Sequence, residues 1–581
     1  MKSISNSQTL PLHKNEDKVL LNQVNILICF IILALFARLF VATRYEINWD
    51  EFFYLSFIYK YLNNEFLGSL QTFHVHFFTW LSWVSKNEVN QIIVARYIML
   101  LLQFATGFFI YRISRRYLSV PGALFAVLSY YSVSYNIRMG ASFRTDPIAT
   151  FCLMASLDLI LAKTSALKKS IMSGILLALA FMITIKSALY LPTFGLIILV
   201  MRGSPQSLKV DKYRVFSFSL SVLLFFSLFY LYHKSNITVR DAGNAISSLS
   251  SSFNKTINFN DIMPGRRYLF HSLVYDMVYW LALAYGLKVV TQAIIGKQEI
   301  SRNSAIILAA MILPLCSVLF YRNAFPYFYS FILAPASILC GVAWDALSWK
   351  DKKSKEAIGV ASFILFYMLA SILYNGLVIP QRKSLDRQYQ LLEVVHKAFP
   401  SPTPYFDRCS MVSSYSQVGF LMSTWGIESY THRKKPILKQ TIQNNNPPFF
   451  IANVGSLDIE KQTSLQSYKQ YELLETDLHA LTDNYIHHWG ELYVAGKHFN
   501  LSEAKPEASF FIQIQGVYTL ESSSTALMNG RRLNPGESIY LAQGSHVIQA
   551  LELPRKYTLR WGEQLYRPKF QPSAKAIFNG F

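Results

Sequence analysis

The residues best suited to chemistry lie in Arg44-Tyr45-Glu46-Ile47-Asn48-Trp49-Asp50-Glu51-Phe52-Phe53-Tyr54, directly after the first long apolar run. Two adjacent carboxylates among aromatic side chains at a membrane surface are costly where water is scarce, so they imply a task or a partner cation. Asp50 reads as the centre of a catalytic site. The alternative is a helix start at the interface, because Asp and Glu favour the positive end of a helix and Trp favours the headgroup level. Three more segments put charge near the ends of apolar runs: Arg138-Met139-Gly140-Ala141-Ser142-Phe143-Arg144-Thr145-Asp146-Pro147, Ile185-Lys186-Ser187 and Tyr321-Arg322-Asn323. On one face with Asp50 and Glu51 they would gather two or three carboxylates and several cations at one depth. That combination suits acid/base work on a phosphate-bearing substrate. Each piece also has a plainer reading: Lys186 and Arg322 as span-end cations reaching for headgroups, and Asp146-Pro147 as a helix start.

The elements that must position these groups follow from composition. The chain has 581 residues, 52% hydrophobic and 15% charged, with a mean hydropathy of +0.25. A soluble domain of this length carries more charge, so the sequence describes a polytopic α-helical membrane protein. The formal charge of +21 does not indicate nucleic acid, because Lys and Arg lie mostly in short connectors between apolar runs and in the tail. Membrane topology and anionic membrane lipids account for that pattern. Cys29, Cys152, Cys316 and Cys340 sit in apolar runs and only Cys409 lies outside them, which argues against a disulfide framework. His487-His488-Trp489-Gly490 reads as strand and turn rather than as a metal site.

After a polar tail, 1–24, spans are expected near 25–43, 91–111, 120–136, 147–163, 171–185, 188–201, 215–233, 271–292, 303–321, 326–345 and 357–379, about eleven in all. Arg112/Arg115/Arg116, Lys163/Lys168/Lys169, Arg202/Lys209/Lys212/Arg214, Lys297/Arg302 and Lys350/Lys352/Lys353/Lys355 fall on one side, which the positive-inside bias makes cytoplasmic. Asp50 and everything after about residue 380 then face the other way. The first outer loop, 44–90, carries Phe52, Phe53, Leu55, Ile58 and Leu62, then Phe73, Phe77, Trp80, Leu81 and Val84, a spacing that predicts two amphipathic helices on the membrane plane. A second long outer loop, 234–270, ends in Pro264-Gly265-Arg266-Arg267. The membrane domain is therefore 25–380, followed by a soluble α/β module at 381–506 and a β-sandwich at 507–581. The latter rests on the alternation at Ile512 to Gln515 and the turns Asn529-Gly530 and Pro535-Gly536.

Asn48-Trp49-Asp50-Glu51-Phe52-Phe53-Tyr54-Leu55 resembles the first-loop carboxylate motif of the C-type glycosyltransferase superfamily, multi-span enzymes that use polyprenyl-phosphate sugars. Within it the likeness is to the branch of protein O-mannosyltransferases and lipid A aminoarabinose transferases. Arg144-Thr145-Asp146-Pro147 is similar to that branch's second acidic position. Tyr321-Arg322-Asn323-Ala324-Phe325-Pro326-Tyr327-Phe328-Tyr329, ahead of Ala334-Pro335, looks like its basic and aromatic approach to a late span. The resemblance covers about residues 20–380 and implies a GT-C-like fold. It also implies an inverting transfer of a monosaccharide from a polyprenyl-phosphate donor to a lipid, glycan or protein acceptor. The expected setting is the periplasmic face of a bacterial inner membrane.

On this reading Asp50 is the base, with Glu51 and Asp146 in support. Lys186 and Arg322 face the donor phosphate, with Arg144, Arg266 and Arg267 behind them. Trp49, Tyr54, His74, His76 and Tyr327 are candidate contacts to sugar or acceptor. A divalent cation (Mg2+ or Mn2+) on Asp50, Glu51 and Asp146 stays open. It is not expected, because adjacent carboxylates need not point to one ion. The rival class is a transporter or flippase of a lipid-linked or anionic substrate.

Overall fold

The computed structural model describes residues 12–65, 67–162, 167–202, 212–238, 263–297, 300–347, 355–382, 385–420, 422–460, 473–552, 555–573 and 576–579. Most of the expected second loop, 239–262, lies outside the described residues, as does the start of the N-terminal tail. The membrane part runs through α1 (Leu12–Arg44), α2 (Trp49–Leu62), α3 (Val75–Phe78), α4 (Glu88–Ser114), α5 (Val120–Ser132), α6 (Ser134–Met139), α7 (Thr145–Ile160), α8 (Leu167–Ile183), α9 (Leu191–Arg202) and α10 (Lys212–Asn236). Among the described residues, helices Arg266–Tyr275, Met277–Ile294, Arg302–Ala310, Pro326–Ala346 and Lys355–Leu373 follow.

Among the described residues seven helices are long and apolar enough to cross a bilayer, or eight if the bent pair Arg302–Ala310 and Leu313–Leu319 is one span. Three segments expected as further spans form shorter helices: α5 with 13 residues, α7 with 16 and α8 with 17. Each falls short of the roughly 20 residues that cross unaided. The wall of α7 is nonetheless protein on nearly every side, since all but two of its 16 residues are buried. The chain is a multi-pass membrane protein built on helix packing.

Helix Pro326–Ala346 is the axis of the bundle, with its apolar stretch wholly enclosed by protein. Lipid tails are as apolar as Leu, so such packing depends on close backbone approach at small residues. Gly286 shows this: a Cβ there would lie 1.9 Å from the Leu339 carbonyl oxygen of the axial helix.

The first loop holds one regular helix rather than two. In α2, Asn48 caps the start by accepting from the Asp50 backbone N–H at 3.0 Å, while the Glu51 carboxylate accepts from Asn48 N–H at 3.0 Å. This reciprocal box fixes where the helix begins. The second stretch breaks into the four-residue α3 and a 3-10 turn, Thr79–Trp83, with Phe77 and Trp83 exposed.

Beyond the bundle a helix, Leu385–Ala398, leads into strands β1 (Tyr405–Phe406), β2 (Phe449–Ile451), β3 (Tyr485–Trp489), β4 (Leu492–Leu501), β5 (Glu507–Ile512), β6 (Gly516–Glu521), β7 (Ala526–Met528), β8 (Arg531–Leu533), β9 (Ser538–Leu541), β10 (Gly544–Ala550) and β11 (Arg555–Trp561). One sheet has the order β1-β2-β4-β11-β6-β9 with β3 on β4; the other is β5-β10-β7-β8. Their facing side chains, including Leu501, Ile512, Leu520, Met528, Ile548 and Leu559, form a separate buried core, which is the sandwich. The first sheet crosses the expected boundary at 506/507, because β4 pairs antiparallel with β11 from Leu501↔Arg555 to Gly496↔Arg560. Asn529 and Gly530 take φ of 53° and 78°, the turn that joins β7 to β8.

His488 lies in β3, 4% exposed, with Nε2 3.0 Å from the Tyr566 carbonyl oxygen. Burial pushes its imidazole down to about 4. A base depressed below its ordinary 6.5 gives stability that is complete above that value and is lost as pH falls toward 4, up to about 3 kcal/mol here. Thermal unfolding of the full chain between pH 7 and 4 should therefore flatten in His488→Gln. An unchanged slope would assign the acid sensitivity to other groups.

Candidate active site

Four charged side chains from three elements meet at the end of the bundle that carries the first loop. Asp50 projects from the first turn of α2, Arg144 precedes α7, Asp146 sits in the first turn of α7, and Lys186 lies in the 3-10 turn Ile185–Tyr190. Arg144 Nη1 donates to Asp50 Oδ2, and Arg144 Nε donates to Asp146 Oδ2 at 3.3 Å. Lys186 Nζ donates to Asp146 Oδ1. Beneath them lies Tyr327, from the first turn of the axial helix, with its ring 3.4 Å from the Arg144 guanidinium carbon and 5.3 Å from Lys186 Nζ. Tyr54 flanks Arg144 at 5.5 Å.

Exposure separates the two acids. The Asp146 side chain is 1% exposed, whereas Asp50 is 29% exposed and can be reached from outside. Asp50 alone of the two can meet an incoming hydroxyl.

Glu51 is not part of this array. Its carboxylate points the other way and is fully buried, accepting from Arg96 Nε at 2.8 Å, Arg96 Nη2 at 2.6 Å, the Phe143 N–H at 2.7 Å and the Asn48 N–H. It ties α2 to α4 and fixes the backbone next to Arg144, so it positions both partners of the Asp50–Arg144 pair. The three acids grouped as candidate cation ligands are thus placed differently: Glu51 diverges with its oxygens used by Arg96, Phe143 and Asn48, and Arg144 lies between Asp50 and Asp146. Among the described residues no three His, Cys, Asp or Glu side chains gather as a metal site.

The remaining candidates divide. Arg322 is 39% exposed and lies 3.5 Å from Glu428 in the C-terminal region. Arg266 and Arg267 are exposed at the start of helix Arg266–Tyr275. That segment packs against the Arg322 turn, since Met263 N–H donates to the Leu319 carbonyl at 3.0 Å. His74 packs edge-on against Tyr54 at 5.3 Å. Burial pushes its imidazole down to about 4, which makes it a neutral packed ring. His76 leaves the site altogether, meeting His233 Nδ1 at 2.8 Å, while His233 Nε2 meets Thr72 Oγ1 at 2.9 Å.

Trp49 lies under the guanidinium of Arg408, 3.8 Å from its ring centroid, and edge-on to Phe578 at 5.9 Å. The C-terminal region thus grips the first loop directly. Gln388 binds both backbone groups of Ile47 at 2.8 Å, Ser413 Oγ donates to the Phe52 carbonyl at 3.0 Å, and Ser414 Oγ donates to Glu88 at 2.6 Å. Arg96, Gln388 and Arg408 are not among the residues that the sequence patterns point to. Arg96 left a signal, a charge inside an apolar run, which implies a buried partner. Gln388 and Arg408 left none, since both depend on the placing of one domain on another.

A family model for dolichyl-phosphate-mannose-protein mannosyltransferases matches residues 74–232. No curated protein sequence matches the chain. The fold is similar to that of ArnT from Cupriavidus metallidurans, solved bound to undecaprenyl phosphate, with a TM-score of 0.51 at 14% identity, covering 76% of this chain and 95% of that one. It is also similar to the oligosaccharyltransferase AglB from Archaeoglobus fulgidus, solved with an inhibitory peptide and a dolichol-phosphate, with a TM-score of 0.50 at 8% identity, covering 94% and 97%. The chain therefore has the fold of the C-type glycosyltransferase superfamily, and the family match falls in the same branch that its motifs resemble.

Proposed function

We propose that this protein is an inverting glycosyltransferase that moves a monosaccharide from a polyprenyl-phosphate donor to a hydroxyl of a lipid, glycan or protein acceptor. It acts on the periplasmic face of a bacterial inner membrane. The observation that carries this reading is the array of Asp50, Arg144 and Lys186 over Tyr327, with a reachable carboxylate beside two fixed cations. The ArnT structure's undecaprenyl phosphate and the AglB structure's dolichol-phosphate support a lipid phosphate as the ligand of this fold.

The geometry serves the reaction in three ways. Asp50 accepts the proton of the acceptor hydroxyl as its oxygen attacks the anomeric carbon. The bond from that carbon to the phosphate oxygen breaks, its electron pair stays on the departing polyprenyl phosphate, and the anomeric centre inverts. The phosphate gains negative charge as it leaves, and Lys186 and Arg144 are held where they can meet it. Their effect is larger than in water because the site is walled by protein.

Mass spectrometry of envelope lipids, glycans and glycoproteins from cells with and without the protein tests the reading. One fraction should lose a hexose- or pentose-sized mass, and Asp50→Asn should reproduce that loss. A transporter would keep moving its substrate in Asp50→Asn, which would contradict the proposal.

A further inference from the structure

Asp146 is the buried acid that the proposed reaction leaves unused. Its two oxygens are shared between Lys186 and Arg144, and Arg144 reaches on to Asp50. The four groups form a line of alternating charge that sums to zero, and Asp146, Arg144 and Lys186 are all under a tenth exposed. A phosphate oxygen and a carboxylate oxygen ask for the same N–H donors, here the ammonium of Lys186 and the fork of Arg144. Because the line is already neutral, a third anion gains most here by taking a cation from one of the two paired carboxylates.

We infer that Asp146 is a stand-in for the donor's phosphate, holding Lys186 and Arg144 in place until the lipid phosphate draws them away. This rests on the donor reading above. Because Arg144 also holds Asp50, the same exchange frees the Asp50 carboxylate to turn toward an acceptor hydroxyl. The donor then binds first, and the base becomes available only once there is a leaving group to use it. A carboxylate that competes with the ligand makes a specific prediction: deleting its charge should strengthen ligand binding, whereas deleting an ordinary supporting residue should weaken it.

The test uses the full chain in lipid nanodiscs and undecaprenyl phosphate as the probe, with uncharged undecaprenol as control. Asp146→Asn keeps the side chain's size and removes its charge. Its lipid-free melting temperature should fall, because Lys186 and Arg144 lose their counter-charge. Undecaprenyl phosphate should raise that temperature more than it does in the wild type, and bind about tenfold more tightly, the scale of one partly screened charge pair. Asp50→Asn, at a more exposed position, should tighten binding by a smaller factor and carries the test if Asp146→Asn does not fold. Undecaprenol should not distinguish the variants. Equal or weaker binding of undecaprenyl phosphate by the variants would overturn the stand-in role and leave the donor reading intact. Failure of the wild type itself to prefer undecaprenyl phosphate over undecaprenol would overturn the donor reading.

Discussion

Asp50→Asn is expected to leave a folded protein that still holds a polyprenyl phosphate while transfer falls by roughly 10²–10⁴-fold, the usual contribution of a positioned base. The substitution keeps the side chain's shape and its place in the first turn of α2, where the cap on Asn48 involves only the Asp50 backbone. It removes the proposed proton acceptor and one counter-charge of Arg144. Fold and chemistry are therefore separable at this position. Transfer can be followed as release of polyprenyl phosphate by the purified enzyme, with melting temperature as the control for folding. Unchanged turnover in a folded Asp50→Asn protein would assign the base elsewhere.

Glu51→Ala should act in the opposite way, through stability. Arg96 is 4% exposed and Glu51 fully buried, and removing one partner of such a pair leaves an uncompensated charge at a cost of about 3–5 kcal/mol. Arg96 would retain only the carbonyls of Ala42, Tyr45 and Glu46. The Phe143 N–H would lose its acceptor as well, which loosens the backbone next to Arg144. A large drop in melting temperature or in folded yield is the expected result. The double variant Glu51→Leu, Arg96→Met should recover much of that stability, because apolar replacements of both partners are often tolerated. If the double variant is as unstable as Glu51→Ala, the cost lies in the lost Phe143 and Asn48 contacts rather than in the unpaired charge.

These two adjacent residues show what a sequence can and cannot tell. Both carboxylates stand out from composition alone, since acids in an aromatic, membrane-adjacent stretch need an explanation. Neighbours on a helix point about 100° apart, so their jobs differ, and only the packing of α2 on α4 shows which one faces the cations. Asp146 and Lys186 were legible as charges at the ends of apolar runs, and they do meet. Arg322 carried the same signal and lies 3.5 Å from Glu428 of the C-terminal region, a neighbour that position along a span does not reveal. The strands of the C-terminal region followed from alternation and turn residues such as Asn529-Gly530. That one sheet joins residues on both sides of 506 is a long-range pairing, and no local pattern encodes it. The grip of Gln388 and Arg408 on the first loop was hidden for the same reason.

In the proposed reaction Arg144 and Lys186 receive a lipid phosphate beside Asp50. An experimental structure of the full chain with undecaprenyl phosphate tests it most directly. Phosphate oxygens are expected within hydrogen-bonding distance of Lys186 Nζ or the Arg144 guanidinium, with the Asp50 carboxylate released from Arg144. A phosphate bound instead at the exposed Arg266–Arg267 face, with the Asp50–Arg144–Asp146–Lys186 line unbroken, would contradict it.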